Sequence, residues 1–152
     1  MGNIGILQNK FTGTTELLKN DFLHLNPSVP FEQIPIIYSE AALALASTST
    51  GHTDILSNPL KIINLRNFEI PMSGGIEICK YCEELSQYYE ENKEIIFYKT
   101  DEELIDKAIY YTTKAKDSEL QSIKQAARKK SENEHSWTIR FNTVFNRLGI
   151  KP

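Results

Sequence analysis

The sequence predicts a single α/β domain in which a mostly parallel sheet lies between two layers of helices and the C-terminus is helical. Short apolar runs alternate with helical patterns along the first two thirds of the chain, and this alternation is typical of βα units. The last third carries apolar residues at helical spacing. With 152 residues, of which 40% are hydrophobic and 24% charged, the chain is long enough to bury one compact core.

Five short apolar runs have the length of β-strands. Polar residues, glycines or prolines separate them along the chain. The predicted strands are residues 4–7, 22–25, 41–46, 76–79 and 95–98. The segment 47–58 is rich in Ser, Thr and Gly, and we predict a loop there, because a connection of this length in a compact domain is usually functional or mobile.

Helical patterns occupy the spaces between these runs. Pro30 suits a helix start, since its missing N–H needs no partner there, and residues 31–39 are therefore predicted to form a short helix that Pro35 shortens or distorts. Residues 59–70 are predicted to form a helix entry and a helix. Gly74 and Gly75 are predicted to end it, because glycine tolerates the left-handed conformation of a C-terminal cap.

The remaining helices are predicted from their caps. Residues 83–91 form a short helical pattern. Thr100 and Ser118 are each followed three residues later by Glu or Gln, which is the spacing of a capping box. Ser136 is predicted to cap a final helix in which Trp137 packs against the rest of the protein.

The overall charge and hydropathy exclude two classes of partner. The net charge is −3, which does not favour binding to nucleic acid. Four cations form a local exception near a predicted helix end, where they complement the helix dipole; they are Lys124, Arg128, Lys129 and Lys130. No run is long and apolar enough to span a bilayer, and the N-terminus lacks the pattern of a secretory signal. We therefore expect a cytoplasmic protein.

The two cysteines and three histidines predict no metal or redox site. Cys79 and Cys82 have C-x-x-C spacing, but His24, His52 and His135 are scattered singly along the chain. A redox pair requires its first cysteine at a helix N-terminus, whereas Cys79 closes an apolar run. His135 and the serine after it are neighbours in sequence, so on a helix they do not face each other as a catalytic pair.

The segment from Asn64 to Gly75 carries the strongest indication of chemistry. Arg66 and Glu69 are three residues apart, so on a helix they share a face. A carboxylate there can accept both hydroxyls of a ribose, and an arginine can bind a phosphate or hold the carboxylate in place. Ser73, Gly74 and Gly75 follow, and glycines let backbone N–H groups approach a diphosphate. The alternative is a structural Arg–Glu pair on an exposed helix.

Several segments in order resemble the C-terminal half of group-one glycosyltransferases. They are NLRNFEIPMSGG at 64–75, residues 76–85, KEIIFYKTDEELIDKAIYY at 93–111 and AARKKSENEHSW at 126–137. The resemblance includes the branch of spore-maturation glycosyltransferase-like proteins and is strongest over residues 59–148. Residues 30–46 resemble the short helix and strand that precede this region in the family.

The resemblance implies the GT-B architecture, in which two Rossmann-like domains face each other across a cleft, and the C-terminal one binds the nucleotide sugar. Glu69 then corresponds to the glutamate that contacts the nucleotide ribose. Gly74 and Gly75 correspond to the glycines that end this helix near the donor, and Arg66 and Asn64 to polar positions on the same helix. The implied substrate is a UDP- or GDP-sugar, with no metal or other cofactor.

Two departures from the family pattern leave a second function open. Many group-one enzymes carry a glutamate where this chain has Lys61, which either offers a cation to the diphosphate or is simply solvated. The chain is also short for a GT-B enzyme, so we expect a truncated donor-binding domain over residues 1–152 that needs a separate N-terminal acceptor-binding half. The alternative is a non-catalytic interaction module that retains the fold and self-associates. A small flavodoxin-like domain fits the size, but the sequence lacks its acidic cluster.

Overall fold

The structure, a computed structural model, describes residues 29–48, 56–57 and 60–150. Within these ranges a three-stranded sheet forms the centre of the fold. Its strands are β1 (Ala44–Ala46), β2 (Glu77–Lys80) and β3 (Ile96–Tyr98). They are parallel and adjacent in chain order, and the register places Cys79 beside both Ala46 and Phe97. The predicted α/β class with a parallel sheet is therefore confirmed.

Five α-helices in the described ranges surround the sheet. They are α1 (Ile34–Glu40), α2 (Arg66–Met72), α3 (Asp101–Thr113), α4 (Asp117–Lys130) and α5 (Trp137–Arg147). A π-helical turn, Ser131–His135, joins α4 to α5. The helices lie on both faces of the sheet, which gives the three layers of a Rossmann-like domain.

Each face of the sheet has its own apolar core. On one face, Phe68 of α2 packs with Cys79, Phe97 and Tyr89. On the other, residues of α3 and α4 pack against β2 and β3; the buried members of this cluster are Ile76, Ile78, Ile96, Tyr98, Tyr111 and Ile123. Successive side chains of a strand point to opposite faces, so a sheet covered on both faces requires the nearly continuous apolar runs seen in the sequence.

Two of the five predicted strands are confirmed to within one residue, since 76–79 corresponds to β2 and 95–98 to β3. The prediction for 41–46 was too long, because β1 has three residues and Leu45 is half exposed. The helix predicted at 31–39 also differs from the observed one. It consists of a 3-10 turn at Phe31–Gln33 followed by α1, and Pro35 lies in the first turn of α1, so this proline starts the helix rather than distorting it. The predicted strands at 4–7 and 22–25, and most of the predicted loop 47–58, lie outside the described residues.

The helix predicted at 59–70 begins later than expected, at Arg66. The reason is a set of side-chain bonds ahead of it. The Asn64 side-chain oxygen accepts the backbone N–H of Arg66 at 3.0 Å. The backbone N–H of Asn64 donates to Oδ1 of Asn67 at 2.9 Å. These bonds replace helical ones. Lys61 and Asn64 therefore lie before α2, and the prediction that placed Asn64 on the helix was wrong.

The end of α2 is as predicted. Gly74 has a φ of +79°, and the N–H groups of Gly74 and Gly75 donate to the carbonyls of Pro71 and Ile70 at 2.9 and 3.0 Å. This is the Schellman arrangement that terminates many helices. Gly75 is also needed sterically, because a Cβ there would lie 2.7 Å from the Tyr38 carbonyl oxygen.

The prediction of a helix at residues 83–91 is wrong. Only a 3-10 turn, Leu85–Gln87, forms there. Cys82, Leu85 and Tyr89 are all buried in one core cluster, and their packing outweighs the helical pattern. Asn92, with a φ of +61°, then turns the chain toward β3.

The caps of the C-terminal helices follow the prediction in part. Thr100 accepts the N–H of Glu103 at 3.2 Å and caps α3 as predicted. The cap predicted at Ser118 is wrong, because α4 begins at Asp117 and Lys116 occupies the cap position. Ser136 lies at the N-cap of α5 without a side-chain bond. The predicted packing of Trp137 is also wrong, since this side chain is 60% exposed.

Candidate functional site

A cleft of about 510 Å³ lies between α1, α2 and α4, and two of the seven predicted site residues line it. Glu69 and Ser73 face it from α2. Its apolar wall comes from α1 and the turn before it, including Phe31 and Ile34, and Arg128 of α4 adds a cation. The cleft thus combines one carboxylate and one guanidinium with an apolar wall, a composition common in small-molecule sites.

Glu69 carries the acceptor group of this cleft. It lies in the first turn of α2 and is half-buried. Its carboxylate receives no hydrogen bond or ion pair from the described part of the chain, so both oxygens are available to a ligand. Arg66 is on the same face of α2, and its charge interacts with the Tyr38 hydroxyl. Burial raises the pKa of Tyr38 above its usual value, and the nearby Arg66 charge opposes that rise.

The residues after Glu69 serve the helix end. Ser73 donates its hydroxyl to the Glu69 carbonyl at 2.7 Å. Gly74 lies beside α4, where a Cβ at this position would be 4.0 Å from the Arg128 guanidinium. The backbone of this turn is therefore one wall of the same region, although Gly75 itself is buried against α1.

Lys61 and Asn64 lie elsewhere, at the edge of the sheet where the strands end. The Lys61 ammonium donates to the Tyr81 carbonyl at 2.8 Å, just after β2. Asn64 donates from its side chain to the Ser47 carbonyl at 2.7 Å, just after β1. In open parallel sheets this edge is where ligands bind. The predicted residues therefore form two groups on either side of the start of α2.

Two residues in or next to this region, Arg128 and Glu77, were not predicted from the sequence. Arg128 was assigned to the end of a helix, and it does lie in the last turn of α4, where it pairs with Glu132 at 2.8 Å. Its place on the cleft follows from the crossing of α4 over α2, which no local pattern reveals. The other is Glu77, a charged residue inside an apolar strand run, which is a visible signal in the sequence.

Glu77 is buried beneath α2, with 1% of its surface exposed. Oε1 accepts the side-chain N–H of Asn67 at 2.5 Å, and Oε2 has no partner in hydrogen-bonding geometry. Burial raises the pKa of the Glu77 carboxyl to about 8, while the Asn67 bond and the Cys79 thiol beside it oppose the rise. The carboxyl is therefore largely neutral at pH 7.

An aromatic cluster around His135 lies under the same helix. The imidazole packs 5.0 Å from the Phe68 ring and 5.4 Å from the Tyr89 ring, measured between centroids. Arg140 of α5 lies 4.1 Å above the Phe68 ring, a favourable cation–π contact. Burial and the Arg140 charge lower the pKa of His135, so this side chain is a neutral packing element rather than a charged group.

The described ranges contain little else that suggests chemistry. Cys79 and Cys82 are both buried as free thiols, and burial raises the pKa of Cys79, which suppresses thiolate chemistry. No cluster of three potential metal-binding side chains occurs in the described part of the chain. Nor does any helix in the described ranges have the length and apolar character needed to cross a membrane.

Comparison with known proteins gives one match. A family model described as glycosyl transferase-like matches residues 8–146. No curated protein matches the chain significantly, and no solved structure does.

Proposed function

Because the chain belongs to the glycosyl transferase-like family, we propose that it supplies the nucleotide-sugar-binding site of a glycosyltransferase. The proposed donor is a UDP- or GDP-sugar, and the proposed architecture is the C-terminal domain of a GT-B enzyme of the spore-maturation-like branch. What supports this is the parallel α/β fold together with the position of Glu69 on the wall of an apolar cleft.

The Glu69 carboxylate is the single observation that carries the proposal. A carboxylate accepts hydrogen bonds only, and two neighbouring ribose hydroxyls present two donors at matching separation. The Glu69 carboxylate has no hydrogen-bond partner among the described residues and borders the cleft, so a ligand that donates to both oxygens would replace bonds to water with two charge-assisted hydrogen bonds. The apolar wall beside it, with Phe31 exposed, suits the flat face of a nucleobase.

Cations on both sides of Glu69 suit the diphosphate. Arg66 lies at the N-terminus of α2, where the helix dipole also favours an anion. Lys61 lies outside the cleft, at the carboxyl edge of the sheet, and Arg128 lines the cleft from α4. We assign the diphosphate to the Arg66 and Lys61 side, because that side combines two cations with the edge of the sheet where ligands bind.

Calorimetric titration of UDP and GDP into the full chain tests the proposal. We expect saturable binding of one nucleotide, weakened about tenfold or more in Glu69→Gln, because two charge-assisted bonds become weaker neutral ones. Asp106→Asn is the matched control, since it makes the same carboxylate-to-amide change on an exposed position of α3. Absence of binding at millimolar nucleotide, or equal affinity in both variants, would contradict the proposal.

A second candidate function, a module that self-associates, is favoured by one surface. The helix α5 buries none of its residues. Most of its apolar side chains are exposed, Trp137 by 60% and Leu148 by 66%, and Phe145 is half-buried. The Trp137, Phe141 and Phe145 rings stack in sequence with centroids 5.6 and 6.0 Å apart. An uncovered aromatic stripe of this kind marks a contact surface.

A second copy of the chain fits this stripe. If two α5 helices pair in antiparallel fashion, the stripe covers itself, and Arg147 at the end of one helix meets Glu134 just before the start of the other. The helix dipoles are then also opposed, which is favourable. We therefore propose a two-fold symmetric dimer as the form this candidate takes.

Light scattering after gel filtration, over a range of concentrations, tests the second candidate. We expect the mass to rise toward that of a dimer, and Phe141→Asp to return it to that of a monomer. Ile105→Asp is the matched control, because Ile105 is an exposed apolar residue on α3, outside the stripe. A wild-type chain that stays monomeric at every concentration would exclude the dimer.

A further inference from the structure

A buried polar pair joins the helix that carries Glu69 to the strand beneath it. The proposed donor binding makes no direct use of this pair. Glu77 opens β2, and Asn67 is the second residue of α2. Both side chains are buried, and Asn67 donates to one oxygen of Glu77 at 2.5 Å. Among the described residues, the other carboxyl oxygen makes no hydrogen bond of ordinary geometry, which is unusual for a buried polar atom.

Asn67 connects this pair to the edge of the sheet. Its Oδ1 accepts the backbone N–H of Asn64 at 2.9 Å, and the Asn64 side chain donates to the Ser47 carbonyl at 2.7 Å. A continuous set of hydrogen bonds therefore runs from the end of β1 to Glu77 at the start of β2. Since α2 has only seven residues, bonds at its first turn determine where the whole helix begins.

We propose that Glu77 and Asn67 are positioning residues for the donor site: the buried carboxyl of Glu77 holds Asn67 and so orients Glu69 toward the cleft. The proposal rests on the donor-binding function proposed above. When Glu77 loses its proton, a charge appears on a buried carboxyl whose nearest polar neighbours are the Asn67 amide and the Cys79 thiol, which is costly unless water reaches it. Because Asn67 of α2 is bonded to this carboxyl, we expect the entry of water to displace the start of α2, and the orientation of Glu69 is then lost.

Four ionisable groups near the pair have pKa values that are shifted away from the range between pH 7 and pH 9. Burial raises the pKa of Cys79 on β2, of Tyr38 on α1 and of Tyr89 ahead of β3 above their usual values. The pKa of His135, on the π-helical turn, is lowered from 6.5. Glu77, with a pKa of about 8, is thus the member of this set that changes charge between pH 7 and pH 9.

Two measurements on the full chain test the proposal. The first is the affinity for UDP and GDP at pH 7, 8 and 9, in the wild type and in Glu77→Gln, which keeps the shape and the Asn67 bond without a titrating proton. The second is the amide hydrogen-exchange protection of residues 64–70 without nucleotide, compared between the two chains at each pH. Ligand ionisation affects both chains equally, so the difference between them reports on Glu77.

We expect the wild-type affinity to fall by about tenfold between pH 7 and pH 9, as it does when only the neutral form binds. Protection of residues 64–70 should fall over the same range, and Glu77→Gln should lose neither. A flat wild-type profile, or an equal fall in both chains, would overturn the proposal.

If neither nucleotide binds the wild type at any pH, the donor-binding function fails. The protection profiles then decide the positioning role on their own: a fall confined to the wild type supports it, and identical profiles overturn it.

Discussion

Glu69 and Glu77 lie on opposite sides of one short helix, and their surroundings suit them to different tasks. Glu69 borders an open cleft and accepts no hydrogen bond from the described residues, so water or a ligand is available to stabilise its charge. Glu77 is sealed beneath α2, with Asn67 as its hydrogen-bond donor. Because desolvation penalises the charged form, the sealed carboxyl is suited to hold a proton and the open one to accept hydrogen bonds. Under the proposed function, Glu69 is therefore the carboxylate that we assign to the donor.

The two glycines that end α2 have different physical roles, which substitution can separate. Gly74→Ala should cost about 1–2 kcal/mol of unfolding free energy, the strain of a left-handed alanine. Gly75→Ala should cost more, about 3 kcal/mol, because its Cβ would lie 2.7 Å from the Tyr38 carbonyl oxygen and force α1 away from α2. Urea denaturation of both variants measures the difference. An equal or smaller cost at Gly75 would contradict the steric role.

Single residues also show how far the sequence predicts the site. Gly74 was predictable, because the demand for a left-handed residue at a helix end is local. Arg128 was not, because it reaches the cleft only through the crossing of α4 over α2. Glu77 was visible as a charge in an apolar run, but its partner Asn67 lies ten residues away on a different element, and no pattern within the strand identifies it.

At the scale of elements, local rules predict the helices well where the deciding contacts are local. The cap of α3 depends on residues within one turn, and it forms as predicted. The start of α2 depends on the side chains of Asn64 and Asn67, and each of these is held in turn by a distant partner, Asn64 by the Ser47 carbonyl and Asn67 by Glu77. These contacts exist only after the strands have assembled. Tertiary packing likewise overrides the helical pattern of residues 83–91, where three side chains enter the core.

The caps of α3 and α5 test whether a local hydrogen bond stabilises the start of a helix. Thr100→Ala should lower the free energy of unfolding by about 1 kcal/mol, because it removes the acceptor for the Glu103 N–H. Ser136→Ala changes the corresponding position of α5, where the hydroxyl makes no capping bond, and should cost less than about 0.5 kcal/mol. Urea denaturation measures both. Equal losses would show that the Thr100 bond contributes nothing beyond the position itself.

At the scale of the whole molecule, Glu77 makes the stability of the fold depend on pH. Its pKa is raised from 4.5 to about 8 in the folded chain. Between these values the unfolded state binds fewer protons than the folded state, so the free energy of unfolding falls as pH rises. The slope is at most about 1.4 kcal/mol per pH unit.

His135 acts in the opposite direction over a lower range. Its pKa is lowered from 6.5 in the folded chain, mainly by burial, so the unfolded state binds more protons just below pH 6.5. Stability therefore rises with pH toward 6.5 and is lost as the solution becomes more acidic. The two groups lie under the same helix α2, and they oppose each other in mildly acidic solution.

These opposed effects predict the pH profile of the intact chain. Below pH 6.5 the contributions of these two groups partly cancel, whereas between pH 6.5 and pH 8 the Glu77 contribution is the larger of the two, and the free energy of unfolding should fall. In Glu77→Gln the fall between pH 6.5 and pH 8 should disappear, while the rise toward pH 6.5 that His135 produces should become steeper than in the wild type. Urea denaturation at half-unit pH intervals measures both profiles. If Glu77→Gln still loses stability between pH 6.5 and pH 8, another group is responsible and Glu77 is not held neutral in the folded chain.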